Sequence, residues 1–414
     1  MQYGLIGEKL GHSFSKEIHN KIDNYDYQLN EVDEDNIEAF IKAKNFKGIN
    51  VTIPYKQTVM PLLDEIDPVA KEIGAVNTIV NKDGKLFGYN TDYYGMQALI
   101  QKNKISVKDK KCLILGTGGT SNTAYTLLKN LGAKKIIKVS RTEKENCVTY
   151  KNVYEKCKDF EIILNTTPCG MYPDVNNCAV NVKSFKHLDA VIDVIYNPIR
   201  TDLVLDAQEN GIKACGGLFM LVYQAIKAYE LFFDKKVQKE KVDKIYEDIL
   251  KEKINTVLIG MPSSGKTSIG KKISKVTKQT LVDTDKEITK KENQQIKDIF
   301  STKGEDYFRK IEKEVVKENS LKNGIIIATG GGIILNNENI RNLKHNGIIY
   351  FIDRKLKKLV VADKRPLANS EEKIRKLYEE RYNKYVNSCD VLIKNNENIM
   401  KVCEKILGEK IWNY

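Results

Sequence analysis

Short runs of apolar, often β-branched residues alternate along the whole chain with longer amphipathic stretches. The apolar runs predict buried strands, and they read YGLIG, GINVTIP, KCLILG, KKIIKVS, FEIILNTT, AVIDVIY, NTVLIG, GIIIATGGG and GIIYFID. Between them, stretches such as NTAYTLLKNLGA and LFMLVYQAIKAYELFF repeat apolar residues at helical spacing. Continuous apolar runs are typical of strands that are covered on both faces. The pattern therefore predicts α/β architecture with mostly parallel sheets.

One charge-dense stretch interrupts this alternation, DKKVQKEKVDKIYEDILKEKIN at residues 234–255. It lacks Gly and Pro, shows helical spacing and leads directly into the apolar run TVLIG. We interpret it as the last helix of one unit, running into a short connection near Glu252. Because 414 residues are too many for one ordinary core, we predict a first unit of about 250 residues and a second of about 160.

The charge balance at first suggests a nucleic-acid partner, because the formal net charge is +13. Only eight of the 68 basic residues are arginine, and the lysines are spread along the whole chain. Specific nucleic-acid contacts rely on arginine forks and clustered basic patches. We therefore interpret the lysines as a compositional bias, and expect no nucleic-acid partner and only a general attraction for anionic metabolites.

Composition also bears on the compartment of the protein. Hydrophobic residues make up 41% and charged residues 30% of the chain, as in soluble globular proteins. No apolar run is long enough to span a membrane, and the first residues lack the pattern of a signal peptide. The eight cysteines form no CxxC pair, and the four histidines do not fall at metal-ligand spacing. These features predict a cytoplasmic protein without a membrane partner.

A first glycine-rich turn lies in KCLILGTGGTSNTAYTLLKNLGAKKIIKVSRT, between a predicted strand and a predicted helix. Gly116 and Gly118 permit a tight turn and a close approach of a pyrophosphate to the N-terminus of the helix. Ser121 stands where a third glycine is frequent. A glycine-rich turn alone is weak evidence, but the strands on both sides favour a dinucleotide site.

The end of the second strand of this unit carries Ser140, Arg141 and Thr142. Enzymes that use NAD usually place an acidic residue there to hold the ribose 2′-hydroxyl. An arginine flanked by two hydroxyls suits a 2′-phosphate instead, which favours NADP. The alternative is a solvated arginine on the surface.

Two candidate reaction residues precede this unit. Lys56 comes just after the predicted strand GINVTIP, and Asp92 is predicted to lie in a glycine-bounded loop, GYNTDYYG. A lysine and an aspartate in one cleft can tune each other's proton affinity. The alternative for each is an ordinary surface charge.

Nine motifs in register resemble those of shikimate dehydrogenase, over residues 1 to about 240. They read GHSFSKEIHN, GINVTIPYK, GAVNTI, GYNTD, GTGGTS, SRT, NTTPCGM, DVIYNP and GGLFMLVYQA. The resemblance implies an α/β substrate-binding domain at residues 1–105, completed by helices of residues 215–250. It also implies a Rossmann NADP-binding domain at residues 106–214.

The same resemblance implies roles for single residues. Ser13 and Ser15 would bind the carboxylate of 3-dehydroshikimate or shikimate, with Tyr196 near it, and Lys56 would be the catalytic acid and base beside Asp92. The expected contacts to the substrate hydroxyls are Thr52, Asn77, Asp92 and Gln224. The expected contacts to the cofactor are Gly116, Gly118, Gly119, Thr120, Ser121, Ser140, Arg141, Thr142 and Gly217.

A second glycine-rich turn, GMPSSGKT, fits the pattern G-x-x-x-x-G-K-[ST] between a predicted strand and a predicted helix. That context predicts a P-loop for ATP. The loop from Gly260 to Gly265 would wrap the β-phosphate with backbone N–H groups. Lys266 would reach the β- and γ-phosphates, Thr267 would bind Mg²⁺, and Ser268 would complete the nucleotide contacts.

Three further stretches suggest the phosphoryl acceptor. LVDTDKE places Asp283 and Asp285 at strand spacing, so we expect their carboxylates on one side of a strand. DIFSTKGEDYFRKIE carries Arg309, and ATGGGI ends a predicted strand with three glycines that permit a close approach to a ligand. Each has an ordinary structural explanation by itself. Together with the P-loop they resemble shikimate kinase over residues 254–414, which implies a P-loop α/β domain like that of nucleoside monophosphate kinases.

The kinase resemblance also assigns roles. Asp283 would orient Mg²⁺ through water, and Asp285 would hold the ring hydroxyls and accept the proton of the attacking hydroxyl. Arg309 and Arg381 would clamp the carboxylate with planar guanidinium groups, while Arg365 of a lid would neutralise the transferring phosphate. The remaining residues expected around the acceptor are Gly331, Gly332, Phe300 and Phe308.

The sequence thus predicts an enzyme that reduces 3-dehydroshikimate with NADPH and phosphorylates the resulting shikimate with ATP and Mg²⁺. Two alternatives remain at this point. A non-catalytic regulator could keep both folds, although it would be expected to lose reaction residues such as Lys56 and Lys266, which are present. The first half could instead oxidise quinate with NAD, against which Ser13, Ser15 and Arg141 argue.

Overall fold

The computed structural model describes residues 1–11, 13–359, 370–396 and 398–408. The chain divides into two compact units, Met1–Ile249 and Leu250–Tyr414, which are described separately. The α/β class predicted from the sequence is confirmed in both units.

The first unit begins with a six-stranded mixed sheet in the order β2-β1-β3-β5-β6-β4. Its strands are β1 (Tyr3–Gly7), β2 (Tyr27–Glu31), β3 (Gly48–Val51), β4 (Glu65–Ile66), β5 (Thr78–Lys82) and β6 (Lys85–Tyr89). The helices are α1 (Ser15–Ile22), α2 (Ile37–Ala43), α3 (Pro68–Ile73) and α4 (Thr91–Lys102). The prediction of mostly parallel sheets misses the antiparallel pairs β3–β5 and β5–β6. The turn of the β5–β6 hairpin is Asp83-Gly84, and both residues have positive φ. This dipeptide is typical of a hairpin turn, and apolar runs alone do not reveal it.

A second six-stranded sheet, wholly parallel, follows in the order β12-β11-β10-β7-β8-β9. Its strands are β7 (Lys111–Leu115), β8 (Lys135–Ser140), β9 (Cys147–Thr149), β10 (Ile162–Asn165), β11 (Ala190–Asp193) and β12 (Lys213–Cys215). The helices are α5 (Gly119–Asn130), α6 (Val153–Lys156), α7 (Asp202–Glu209), α8 (Leu218–Phe233) and α9 (Lys239–Lys253). Since the strand order reverses between β7 and β10, the carboxyl ends of these strands leave a crevice where open α/β sheets bind ligands.

The second unit contains one parallel sheet in the order β14-β15-β13-β16-β17. Its strands are β13 (Asn255–Ile259), β14 (Leu281–Asp283), β15 (Ile326–Ala328), β16 (Gly347–Asp353) and β17 (Val391–Lys394). The helices are α10 (Lys266–Thr277), α11 (Thr284–Glu292), α12 (Ile296–Ser320), α13 (Asn337–Asn346), α14 (Glu371–Ser388) and α15 (Ile399–Gly408). Gly304, at φ 83°, kinks α12.

Two acidic residues lie on elements other than those predicted. Asp92 is not in a loop but in the first turn of α4, which Asn90 caps by accepting the N–H of Tyr93. Asp283 ends β14 and caps α11, so Asp285 lies in the first helical turn and the argument from strand spacing is wrong. In both cases a short polar side chain that accepts a backbone N–H begins a helix where the sequence analysis expected a loop or a strand.

The central strands are buried on both faces, as their continuous apolar runs predict. All four residues of β10, six of the seven of β16 and four of the five of β13 are buried. Burying a side chain of this size stabilises a fold by about 1.5–3 kcal/mol. The rigid sheets thus hold the loops at their carboxyl ends, where the candidate sites lie.

Candidate active sites

A cavity of about 500 Å³ lies in the first unit, between the ends of the two sheets. It brings together most of the substrate residues predicted from the sequence, together with two of the predicted cofactor residues. They are Ser13, Ser15, Thr52, Lys56, Asn77, Asp92, Thr120, Tyr196, Gly217 and Gln224. Residues from β3, α4 and α8 thereby line one space, although more than 200 positions separate the first of them from the last.

Lys56 and Asp92 form an ion pair at this cavity. The Nζ atom of Lys56 donates to Oδ2 of Asp92 at 2.6 Å, and the two side chains are only 17% and 14% exposed. The backbone of Lys56 is held as well, because its carbonyl accepts the N–H of Val76 at 2.8 Å. A lysine paired with a carboxylate, largely shielded from water, is suited to hold a proton for transfer at a fixed position.

Neutral donors occupy another part of the cavity wall. The Ser13 hydroxyl donates to the Ser15 hydroxyl at 3.0 Å, and the ring of Phe14 lies 5.2 Å from the ring of Tyr196. Burial raises the pKa of Tyr196, so its phenol stays protonated and able to donate. These hydroxyls can bind a carboxylate without bringing a fixed charge into the cavity.

The charged residues that line the cavity in the described part of the chain are Lys9, Lys56 and Asp92. Since Lys56 and Asp92 compensate each other, Lys9 at the exposed rim leaves the lining with one net positive charge. Sequence analysis missed Lys9. The sign of the charge favours an anionic ligand.

The glycine-rich turn after β7 has the conformation that the sequence predicts. Gly116 has φ 104°, and a Cβ there would lie 2.9 Å from Cγ2 of Thr167, so only glycine fits. Gly118 precedes α5, and Gly119 and Thr120 form its first turn. Ser121 differs from the prediction of a direct cofactor contact. Its side chain is fully buried, and both its N–H and its hydroxyl donate to the Gly118 carbonyl, so it braces the turn instead.

The end of β8 carries the residues predicted to select the cofactor. Arg141 and Thr142 are exposed, and the Ser140 hydroxyl accepts the N–H of Thr142 at 3.3 Å. Lys144 was missed by sequence analysis, although it lies only three positions after Arg141. Its Nζ atom donates to the Thr117 hydroxyl in the glycine-rich turn at 3.2 Å. Two cations therefore flank this strand end.

Gly217 caps α8 at the other side of the cavity. A Cβ at this position would lie 2.1 Å from the Val194 carbonyl oxygen, so a side chain would force the backbone apart. The predicted glycine is thus required by packing, and it also leaves room beside the cavity.

The second unit has a P-loop after β13. Gly260 and Gly265 have φ of 147° and 100°, and Ser263 between them also has positive φ. The Nζ atom of Lys266 donates to the carbonyls of Gly260 and Met261 at 2.8 and 3.0 Å. The side chain therefore folds back over the loop, where phosphate oxygens bind in loops of this shape.

The loop is braced from outside by Asn395, which the sequence analysis missed. Its Nδ2 atom donates to the Ser264 carbonyl at 2.7 Å. The same atom lies 2.8 Å from the position of a Cβ on Gly265, which excludes larger residues there. The predicted contact residue Ser268 lies exposed in the first turns of α10.

Oxygen ligands lie beside the P-loop. The Thr267 hydroxyl donates to Oδ2 of Asp283 at 2.7 Å. A hydroxyl next to one carboxylate fits Mg²⁺, which keeps water and phosphate oxygens as its other ligands. Within the described residues, no group of three or more His, Cys, Asp or Glu side chains could hold a metal ion by itself.

The acceptor residues surround the glycine turn after β15. Cβ atoms at Gly330 and Gly332 would lie 2.6 Å from Oδ1 of Asp285 and 2.3 Å from Nη1 of Arg309. A guanidinium nitrogen of Arg381 donates to the Gly331 carbonyl at 3.0 Å. The absence of side chains on the glycines thus lets one carboxylate and two guanidinium groups lie against the same turn.

Glu312 is a further residue of this cluster, and sequence analysis missed it. It is 1% exposed, and its Oε2 accepts from Nη1 of Arg309 at 2.8 Å. Burial raises the pKa of Glu312, while the charge of Arg309 opposes the rise. Glu312 could have been recognised from its spacing, because residues three positions apart on a helix, such as Arg309 and Glu312, lie on one face.

The two aromatic residues predicted to wall this site pack against each other. The rings of Phe300 and Phe308 pack 4.8 Å apart in α12. Arg365, predicted to neutralise the transferring phosphate, lies outside the described residues. In the described part of the chain, no helix is long and apolar enough to cross a membrane.

Fold and sites together define a dinucleotide-dependent dehydrogenase joined to a P-loop kinase. Residues 5–79 match the family model of the shikimate dehydrogenase substrate binding domain, and residues 262–410 match that of shikimate kinase. The chain is 44% identical over 265 residues to shikimate dehydrogenase (NADP(+)) from Clostridium perfringens, covering 97% of that protein and 60% of this chain. The chain therefore belongs to the shikimate dehydrogenase family, and its second unit carries a shikimate kinase domain.

Solved structures agree with this assignment. Shikimate dehydrogenase 1 from Peptoclostridium difficile is 37% identical with a TM-score of 0.56, and the match covers 60% of this chain and 98% of that one. A chorismate mutase/shikimate 5-dehydrogenase fusion protein from Clostridium acetobutylicum is 36% identical with a TM-score of 0.57, covering 60% and 96%. The predicted fold class and the use of NADP and of a nucleotide by the kinase domain are confirmed at this level.

Proposed function

We propose that this chain is a bifunctional enzyme that catalyses two consecutive steps of the shikimate pathway. The first unit reduces 3-dehydroshikimate to shikimate with NADPH, and the second transfers the γ-phosphoryl group of ATP to the 3-hydroxyl of shikimate. One observation carries the proposal. Each unit keeps its own reaction groups, the Lys56–Asp92 pair in one and the P-loop with Lys266 in the other.

Reduction of a ketone requires a hydride and a proton. NADPH, when bound, supplies the hydride to the carbonyl carbon. The ammonium of Lys56 donates a proton to the carbonyl oxygen as negative charge develops there, and Asp92 holds the ammonium in place. In the reverse direction the neutral amine accepts the hydroxyl proton. Removal of water from the pair, indicated by its low exposure, strengthens these interactions.

The substrate is oriented from its other groups. Ser13 and Ser15 donate to the carboxylate, with Tyr196 near it. The amides of Asn77 and Gln224 face the ring hydroxyls, as does the hydroxyl of Thr52. Holding a reactant at several points turns a bimolecular encounter into a reaction at fixed geometry.

Cofactor choice depends on the end of β8. Arg141 and Lys144 are cations, and the hydroxyl of Thr142 is a further donor. The family's NADP-dependent relatives support a 2′-phosphate at this position. A charge-assisted contact to that phosphate would favour NADPH over NADH.

In the kinase unit, Lys266 neutralises charge on the β- and γ-phosphates. Thr267 and Asp283 would hold Mg²⁺, which supplies charge neutralisation at the phosphates. Asp285 holds the attacking hydroxyl and accepts its proton. Arg309 and Arg381, which lie against the same glycine turn, bind the acceptor carboxylate.

The domain assignment is part of the proposal. Residues 1–105 with the helices of residues 215–250 bind the shikimate skeleton, residues 106–214 bind NADP, and residues 254–414 form the kinase. The two reactions also follow one another, because the alcohol that the first unit produces is the phosphoryl acceptor of the second. Both reactions belong to the route toward chorismate and the aromatic amino acids.

The test is a pair of single-site variants assayed for both reactions. Lys56→Ala should lose dehydrogenase activity and keep kinase activity, while Lys266→Ala should do the reverse. Shikimate and quinate are compared with NADP⁺ and NAD⁺ in the same assay. A folded Lys266→Ala protein without dehydrogenase activity would contradict independent sites, and a preference for quinate with NAD⁺ would contradict the assigned substrate.

A further inference from the structure

A buried threonine links two of the proposed substrate ligands. Thr91 is the first residue of α4, immediately before Asp92, and its side chain is fully buried. Its N–H donates to Oδ1 of Asn77 at 2.7 Å. Its hydroxyl lies 3.1 Å from the Thr78 hydroxyl, 3.2 Å from Oδ1 of Asn77 and 3.4 Å from Oε1 of Gln224. Thr91 does not line the cavity, so it lies behind the residues that do.

The orientation of the Asn77 amide follows from chemistry. A backbone N–H can only donate, so the Asn77 atom that faces the Thr91 N–H must be the oxygen. The NH₂ group of Asn77 is therefore the end that remains for the cavity. A substrate oxygen that accepts a hydrogen bond fits this end.

The donors around Asn77 can be assigned one by one. Oδ1 of Asn50 accepts the Tyr27 hydroxyl at 2.7 Å, so its NH₂ donates to the Thr78 hydroxyl at 2.9 Å. The Thr78 hydroxyl can then donate to Oδ1 of Asn77 or to the Thr91 hydroxyl, each at 3.1 Å. Oδ1 of Asn77 has two lone pairs, one of which accepts the N–H of Thr91.

The hydroxyl of Thr91 has two acceptors, Oδ1 of Asn77 at 3.2 Å and Oε1 of Gln224 at 3.4 Å. The NH₂ group of Gln224 donates to the Leu221 carbonyl at 3.0 Å, so this amide cannot rotate by 180° without placing two oxygens together. Its Oε1 faces the Thr91 hydroxyl, and the side chain is only 9% exposed. Without that hydroxyl, the oxygen would have to turn toward water in the cavity.

We propose that Thr91 is a positioning residue of the dehydrogenase site, which orients Asn77 through its backbone N–H and its hydroxyl, and Gln224 through its hydroxyl. The inference rests on the proposed dehydrogenase function. It assigns a role to the threonine of the GYNTD motif that differs from that of its catalytic neighbour Asp92. Substitution of the side chain removes the contacts of the hydroxyl to Thr78, Asn77 and Gln224, and it leaves the contact of the backbone N–H to Asn77 in place.

The experiment compares Thr91→Val, which has the same shape but no hydroxyl, with Thr91→Ser, which keeps the hydroxyl. We expect Thr91→Val to lower kcat/KM for shikimate by about tenfold, the effect of one lost hydrogen bond. The KM for NADP⁺ should not change, and Thr91→Ser should stay within about threefold of wild type. Thr126→Val, a buried threonine of α5, is the matched control and should keep full activity.

Double-mutant cycles test the two partners. In a Gln224→Ala background and in an Asn77→Ala background, Thr91→Val should cause a smaller further loss than in the wild type, because one partner of the hydroxyl is already gone. A loss in both backgrounds as large as in the wild type would overturn the inference, as would an active Thr91→Val enzyme with normal kcat/KM. If Thr91→Val fails to fold, Thr78→Val tests the same network, because the Thr78 hydroxyl lies 3.1 Å from both Oδ1 of Asn77 and the Thr91 hydroxyl. Its effect should shrink in the Asn77→Ala background, and an undiminished effect there would overturn the inference. A wild-type chain without NADP⁺-dependent turnover of shikimate would overturn the proposed function itself.

Discussion

Replacement of Lys56 by alanine tests the centre of the dehydrogenase site. The change removes the ammonium that donates to Oδ2 of Asp92 at 2.6 Å. It also leaves the Asp92 carboxylate, 14% exposed, without its partner. Hydride transfer to the ketone would then have no positioned proton donor.

The expected magnitude follows from these two losses. A positioned acid or base contributes about 10²–10⁴-fold to a rate, or about 3–5 kcal/mol of activation free energy. Water has little access to the site of the pair and replaces the lysine poorly. We therefore expect kcat to fall at least about 100-fold, while the KM for NADPH changes little because the cofactor turn lies on the other sheet.

The assay follows NADPH oxidation at saturating 3-dehydroshikimate and, separately, at varied NADPH. Lys42→Ala is the matched control, because Lys42 also pairs with a carboxylate, Glu38, but is 65% exposed on the surface. That variant should keep its rate, since exposed pairs contribute little. A Lys56→Ala rate within about threefold of wild type would refute the acid/base role.

Three further predictions concern other parts of the chain. Arg141→Asp should move the ratio of kcat/KM values from NADPH toward NADH, because it removes a cation and opposes the 2′-phosphate; an unchanged ratio would show that the end of β8 does not select the cofactor. Glu312→Ala leaves the guanidinium of Arg309 without its buried partner, so the KM of the kinase for shikimate should rise about tenfold with unchanged dehydrogenase activity; an unchanged KM would exclude the positioning role of Glu312. Burial raises the pKa of Asp193 to about 6 against an ordinary value of 3.8, although Thr201 and two other donors oppose the rise. Between these two pH values the folded state binds more protons than the unfolded state. Stability therefore falls as the pH rises from about 4 to 6, and this group contributes about 3 kcal/mol to the fall. The free energy of unfolding, measured by urea titration, should fall by this amount across that pH range in the wild type relative to Asp193→Asn. Parallel pH profiles of the two proteins would contradict the raised pKa of Asp193.

The strands that carry the sites were predictable because central strands of parallel sheets are covered on both faces. Their apolar runs therefore stand out, as in KCLILG for β7 and GIIYFID for β16. The strands β5 and β6 were missed, since TIVNK and KLFGY mix polar and apolar residues on a partly exposed hairpin. The helices whose first turns contain Asp92 and Asp285 were not predicted, because the capping side chains of Asn90 and Asp283 set those turns and apolar periodicity does not reveal them.

Contacts within the sites were only partly accessible from the sequence. Glycines such as Gly116 and Gly260 could be recognised because motif spacing and strand context restrict them. The pairing of Lys56 with Asp92, 36 positions apart, came from resemblance and not from any local pattern. Buried partners such as Thr91 act through bonds formed only in the tertiary structure. No periodicity in the sequence indicates them.

The central claim is that one chain performs two successive reactions, and a single incubation tests it. Purified protein is given 3-dehydroshikimate, NADPH, ATP and Mg²⁺, and NADPH oxidation, ADP and the organic products are measured together. The account predicts one NADPH oxidised and one ADP formed for each shikimate 3-phosphate, with product formation abolished in either Lys56→Ala or Lys266→Ala. Shikimate that accumulates without phosphorylation, or ATP consumption without reduction of the ketone, would contradict the account.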